Sequence, residues 1–166
     1  MADFPGWLPP LVTLNEYDGN WWAYIEACYE CYCQTLVFNF AEFRGKPVRT
    51  ISDPMREGKE ESFWHIVEGR SGDSQEQSIR RCERIGWIRP VIEATTSGKV
   101  KTWKVKRTSP GKRRAQKRIL IAIEDFSFVV VLVDRGSFML LLTAYPVEKG
   151  QQRRRLESDY LQSDSH

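Results

Sequence analysis

The chain has 166 residues, 41% of them hydrophobic and 28% charged, with a net charge of +3. These are values of a globular domain and exclude a disordered tail. No apolar run approaches the roughly eighteen residues of a membrane span. The start, Met1-Ala-Asp-Phe-Pro-Gly-Trp7, lacks the basic and apolar regions of a signal peptide, so the expectation is a cytoplasmic protein with no membrane partner.

Residues 1–14 are apolar and carry Pro5, Pro9 and Pro10, which predicts an ordered arm laid over the domain. From Asn15 to about Val37 the spacing predicts a helix, with Asp18 as N-cap and Trp22, Ile25, Cys28 or Tyr29, Tyr32 and Leu36 as its apolar stripe. Residues 38–42 and 47–51 flank Arg44-Gly45-Lys46, a hairpin turn. Residues 61–68 form a short helix bearing His65. A longer helix is predicted over 74–94, capped by Ser74 with Gln77 three residues on and kinked or ended at Pro90. Residues 100–106 alternate like a strand, and three apolar runs follow at 118–123, 126–133 and 138–147, joined by links short enough only for hairpins. Residues 153–160 read as a short basic helix. Helices followed by a meander of about four antiparallel strands make an α+β domain, with residues 1–59 as an N-terminal extension and 60–166 as the domain proper.

Charge is unevenly spread. Residues 1–62 carry ten acidic and five basic side chains, whereas residues 63–166 carry twelve and twenty. Between Lys99 and Arg118, ten of twenty residues are Lys or Arg and none is acidic. A bipolar chain of this kind points to a polyanion as partner. Cys28, Cys31 and Cys33 cluster, but no second ligand pair at metal spacing follows, which favours reduced, buried thiols and calls for no metal or cofactor.

Several segments in order carry a resemblance: Phe63-Trp-His-Ile66, Arg81-Cys-Glu-Arg-Ile-Gly-Trp-Ile88, Trp103, Gly111-Lys-Arg-Arg114, Phe128-Val-Val-Val-Leu132 and Leu141-Leu-Thr-Ala-Tyr-Pro-Val147. The succession resembles the phage-type nucleases of the barnase/EndoU/colicin/RelE superfamily, small ribonucleases of which many are toxins. The resemblance implies helices before a four-stranded antiparallel sheet, with a site on the sheet's exposed face. It implies a histidine on the early helix, matched by His65, and a hydroxyl and an aromatic on the last strand, matched by Thr143 and Tyr145. The basic strand residue it implies is matched by either Lys117 or Arg118.

Metal-independent RNA cleavage needs a base for the 2′-hydroxyl, an acid for the leaving oxygen and cations for the phosphorane. His65 can serve as base or acid; Tyr145, Lys117 and Glu68 are the candidates for its partner, and Glu68, three residues on, could orient the ring. Arg81, Arg84 and Arg118 are candidates for a phosphate clamp. Lys112, Arg113 and Arg114 are further phosphate contacts, and Trp103 could stack a base. The expected function is an endoribonuclease leaving 2′,3′-cyclic phosphate, a toxin or effector with a cognate inhibitor or immunity protein. The alternative is a non-catalytic RNA-binding or toxin-neutralising protein on the same fold.

Overall fold

The computed structural model describes residues 4–69, 73–107, 111 and 115–163. After a 3-10 turn at Leu14–Tyr17, Asp18 adopts a left-handed conformation (φ 53°) that closes the turn, so the helix begins later than the sequence suggests. Asn20 is its cap, its side chain accepting the Ala23 N–H at 3.1 Å. Helix α1 (Trp21–Tyr32) buries Tyr24, Ile25, Cys28 and Tyr32 and runs into a π-helical turn at Cys33–Val37. Trp22, expected on the buried stripe, is instead 62% exposed.

Strands β1 (Glu42–Phe43) and β2 (Lys46–Arg49) form the predicted hairpin. Its two-residue turn has φ of 49° at Arg44 and 83° at Gly45, the twist that matches antiparallel strands. Helix α2 (Glu61–Glu68) follows, then α3 (Gln75–Glu83), started by the predicted Ser74–Gln77 capping box. The break expected at Pro90 falls one turn earlier, in a 3-10 segment at Ile85–Trp87. Pro90 lies in the first turn of α4 (Ile88–Glu93), where a missing N–H does no harm. Strands β3 (Val100–Arg107), β4 (Gln116–Ile123), β5 (Phe128–Asp134) and β6 (Met139–Pro146) form an antiparallel meander, and α5 (Gly150–Gln162) ends the described chain.

The architecture is α+β, but the sheet is larger than the meander. Its order is β1-β2-β6-β5-β4-β3, and β2 runs parallel to β6 through Val48↔Met139 and Arg49↔Leu140. Six strands in a mixed sheet therefore replace the expected four antiparallel ones, and the first sixty residues contribute to the same sheet and core. One face, built by Ile119, Ile121, Val130, Leu132 and Leu141, lies under α1 to α4. The other carries a smaller cluster of Trp103, Leu120, Phe126, Val129, Val131 and Val147, over which α5 lays Leu156 and Tyr160. The N-terminal arm is tied to the helices: the Trp87 indole donates to the Pro9 carbonyl at 2.8 Å and the Tyr24 hydroxyl to that of Val12, also at 2.8 Å.

The four cysteines are free thiols, three of them buried. Hydrogen bonding to Cys28, together with burial, pushes the Cys82 thiol well up, and burial raises Cys31 and Cys33. Among the described residues no group of three or more His, Cys, Asp or Glu side chains is placed to hold a metal.

Candidate nucleic-acid interface

Strand pleating decides which cations stand together. On β3, Lys101, Trp103 and Val105 point to the α5 side, while Thr102, Lys104 and Lys106 point to the opposite one. On β4 the register sets Lys106 directly across from Lys117 and Lys104 across from Ile119. Lys104, Lys106 and Lys117 are all exposed. None of them, nor Lys99 or Lys101, forms an ion pair among the described residues. Like charges directly opposite on neighbouring strands repel, and the Asp134 carboxylate acts on Lys117 from beyond ion-pair distance. Lys99 and Lys101 lie over the rings of Trp7 and Tyr160, at 5.9 and 5.7 Å. Arg154 and Arg155 on α5 add exposed cations. Lys112, Arg113 and Arg114 fall outside the described residues.

The helical layer treats its arginines differently. Arg81, a clamp candidate, binds Asp73 at 2.7 Å and reaches the Glu68 carbonyl at 3.4 Å. Arg84, the second, donates to the Arg80 carbonyl, lies within 3.5 Å of Glu83 and stacks on Phe4 and Trp87. Its desolvation lowers the pKa of the guanidinium. Both are mostly buried in internal contacts, so neither presents a fork to an external phosphate in this conformation.

The predicted catalytic residues divide between two layers. Arg118, Thr143 and Tyr145 share the α5 side of the sheet: Thr143 stands opposite Val131, Tyr145 opposite Val129 and Arg118 opposite Val133. A register shift at Val131/Leu132 lies next to Thr143, a distortion of the kind that re-aims side chains near functional sites. Lys117, the other candidate for the basic strand residue, points to the opposite face with Lys106. His65 is exposed on α2, whose Phe63, Ile66 and Val67 enter the core of that opposite face. No hydrogen bond among the described residues joins His65 to Thr143, Tyr145 or Glu68. The Glu68 carboxylate instead meets Arg56 at 2.6 Å, so it does not orient the imidazole.

Trp103 also departs from expectation. It is 1% exposed, wedged against Phe126 and Tyr160, and cannot offer a face to a base while α5 is seated. Its Nε1–H is buried with no partner among the described residues.

The cross-strand lysine pair could not be read from sequence because it depends on register across the β3–β4 connection. Only the density of Lys and Arg was visible there. Comparison of the chain with protein-family models, curated proteins and solved structures yields no match.

Proposed function

We propose that the protein binds RNA through the lysine-bearing β3–β4 edge. The observation that carries this reading is Lys106 opposite Lys117, with Lys104 beside them, all exposed and none in an ion pair among the described residues, Asp134 acting on Lys117 only at longer range. Edge lysines also discourage strand-to-strand aggregation, but that purpose needs no directly opposed pair. A polyanion lying along the edge relieves the repulsion and gains from counterion release. Fluorescence anisotropy with a labelled single-stranded RNA tests it: Lys106→Gln with Lys117→Gln weakens binding to all sequences alike. Unchanged affinity in the double variant would remove the edge from the account.

Endoribonuclease activity is the second reading, favoured by Arg118, Thr143 and Tyr145 on one sheet face beside the register shift. There the Thr143 hydroxyl and the Arg118 guanidinium hold the phosphate, the Tyr145 phenol gives its proton to the leaving 5′-oxygen as the P–O5′ bond breaks, and the proton of the attacking 2′-hydroxyl passes to water, without help from His65. This chemistry uses the substrate's own 2′-hydroxyl as nucleophile. Cleavage in EDTA with 2′,3′-cyclic phosphate ends supports it; 5′-phosphate products contradict it.

A further inference from the structure

A cleft of about 720 Å³ opens in the helical layer, away from the lysine edge, within the size range of ligand sites. The first turn of α1 supplies Trp21 and Trp22, α2 supplies Trp64, and Ile25 and Val67 form the apolar floor. The rim is acidic: Glu57, Glu68 and Asp73 line it, against Arg56 as the one cation among the described lining residues. Two of the three carboxylates are engaged, Glu68 with Arg56 and Asp73 with Arg81. Glu57 forms no ion pair among the described residues. It sits at a left-handed turn position (φ 53°), in a two-residue loop closed by mutual Arg56–Lys59 hydrogen bonds of 3.0 Å. A non-glycine residue in that conformation is uncommon.

Arg56 shows what the cleft accepts. Its guanidinium lies 4.4 Å from the centre of the Trp64 ring and 2.6 Å from the Glu68 carboxylate. The Trp64 indole N–H is fixed on the Arg56 carbonyl at 2.8 Å, which holds the ring by its edge and leaves its face for the cation. Trp22, 62% exposed, together with Glu57 offers an indole and a carboxylate for a second guanidinium.

We propose that this cleft docks an arginine-bearing basic segment of a partner protein, one guanidinium lying on Trp22 with Glu57 as its counter-charge. Charge complementarity decides the occupant. The first sixty-two residues carry ten acidic side chains against five basic ones, and Glu57, the rim carboxylate in no ion pair among the described residues, favours a cation over a nucleic-acid phosphate. A planar guanidinium both stacks on indole and pairs with carboxylate, so arginine is preferred over lysine.

Isothermal titration of the full chain with an acetylated, amidated peptide alternating glycine and arginine, and with its lysine counterpart, is the test. The arginine peptide binds more tightly than the lysine peptide. Trp22→Ala weakens it by about 2- to 30-fold, the range of a cation–π contact, and Glu57→Gln weakens it in the same direction. RNA affinity stays unchanged in both variants, which separates this site from the lysine edge. Absence of peptide binding, or peptide binding indifferent to Trp22→Ala and Glu57→Gln, overturns the proposal. So does a loss of RNA rather than peptide affinity in Trp22→Ala, because the cleft would then take a base. Should Trp22→Ala fail to fold, Glu57→Gln, on an exposed turn, decides alone.

Discussion

The helical layer and the β3–β4 edge are both rich in cations, and they use them in opposite ways. In the helices and the loop before them, Arg56, Arg80, Arg81, Arg84 and Arg89 each meet a carboxylate within 3.5 Å, and Arg56 and Arg84 also stack on aromatic rings. On the edge, Lys104, Lys106 and Lys117 stand exposed with no ion pair among the described residues. The difference is between charge paired within the fold and charge left without an ion pair among the described residues. Guanidinium groups form planar, bidentate and stacked contacts, whereas ammonium groups on flexible stems act as solvated point charges. A count of basic residues does not separate the two; register and burial do.

The two faces of the sheet make a parallel contrast through their tryptophans. Trp87, under the helices, is 1% exposed with its N–H bonded to Pro9; Trp103, under α5, is equally buried with no N–H partner among the described residues. Truncating either to Ala is expected to cost about 3–5 kcal/mol. The informative pair is Trp→Phe. Trp87→Phe strands the Pro9 carbonyl and should lose about 1–3 kcal/mol more than Trp103→Phe, which deletes an unsatisfied donor. Urea denaturation of the two variants measures it, and equal losses would mean that the arm is not held through that bond.

On the α5 face, if the protein cleaves RNA, Tyr145→Phe should lower the rate by about 10²- to 10⁴-fold. His65→Ala should leave it near wild type, since no hydrogen bond among the described residues joins that ring to the face. Rates from labelled RNA in EDTA distinguish the layers. A large loss in His65→Ala would bring the helical layer into the chemistry.

Smaller effects arise where strand ends meet. The Gly136 N–H, at 2.8 Å from Asp134, the Lys46 ammonium, at 3.4 Å, and the charge of Lys117 hold the Asp134 carboxyl below its ordinary range, with the backbone bond the largest cause and Lys117 the smallest. A depressed folded pKa gives stability that is present above the unfolded value, about 3.9, and lost as pH falls through the folded one. Asp134→Asn should therefore be less stable than wild type at neutral pH by under about 1 kcal/mol. The gap should close in strong acid. Denaturant midpoints at the two pH values check this; a gap that persists in acid would assign it to something other than ionisation.

Part of this organisation was legible in the sequence. The meander was, because apolar runs such as Phe128–Asp134 are long and bounded by short polar links. The placement of Thr143 and Tyr145 on one side also was, since side chains alternate along a strand. The parallel pairing of β2 with β6 was not: it rests on two residue pairs brought together by tertiary packing. The helix break at Ile85–Trp87 was hidden because Cys82, Ile85 and Ile88 keep helical spacing straight through it. Exposure of Trp22 and burial of Trp103 were invisible for a related reason: each depends on which distant element closes over the ring.

The central claim is that the fold leaves the Lys106/Lys117 pair open to a polyanion, and the salt dependence of RNA affinity tests it most directly. Each phosphate contact on single-stranded RNA contributes about 0.7 to the slope of log affinity against log salt. Lys106→Gln with Lys117→Gln should therefore flatten that slope by about 1.4. Lys106→Gln alone relieves the like-charge pair while leaving the attraction of Lys117 to Asp134, and should raise stability by about 0.2–1 kcal/mol. A double variant with an unchanged slope would contradict the account, because the pair would then be solvated surface and nothing more.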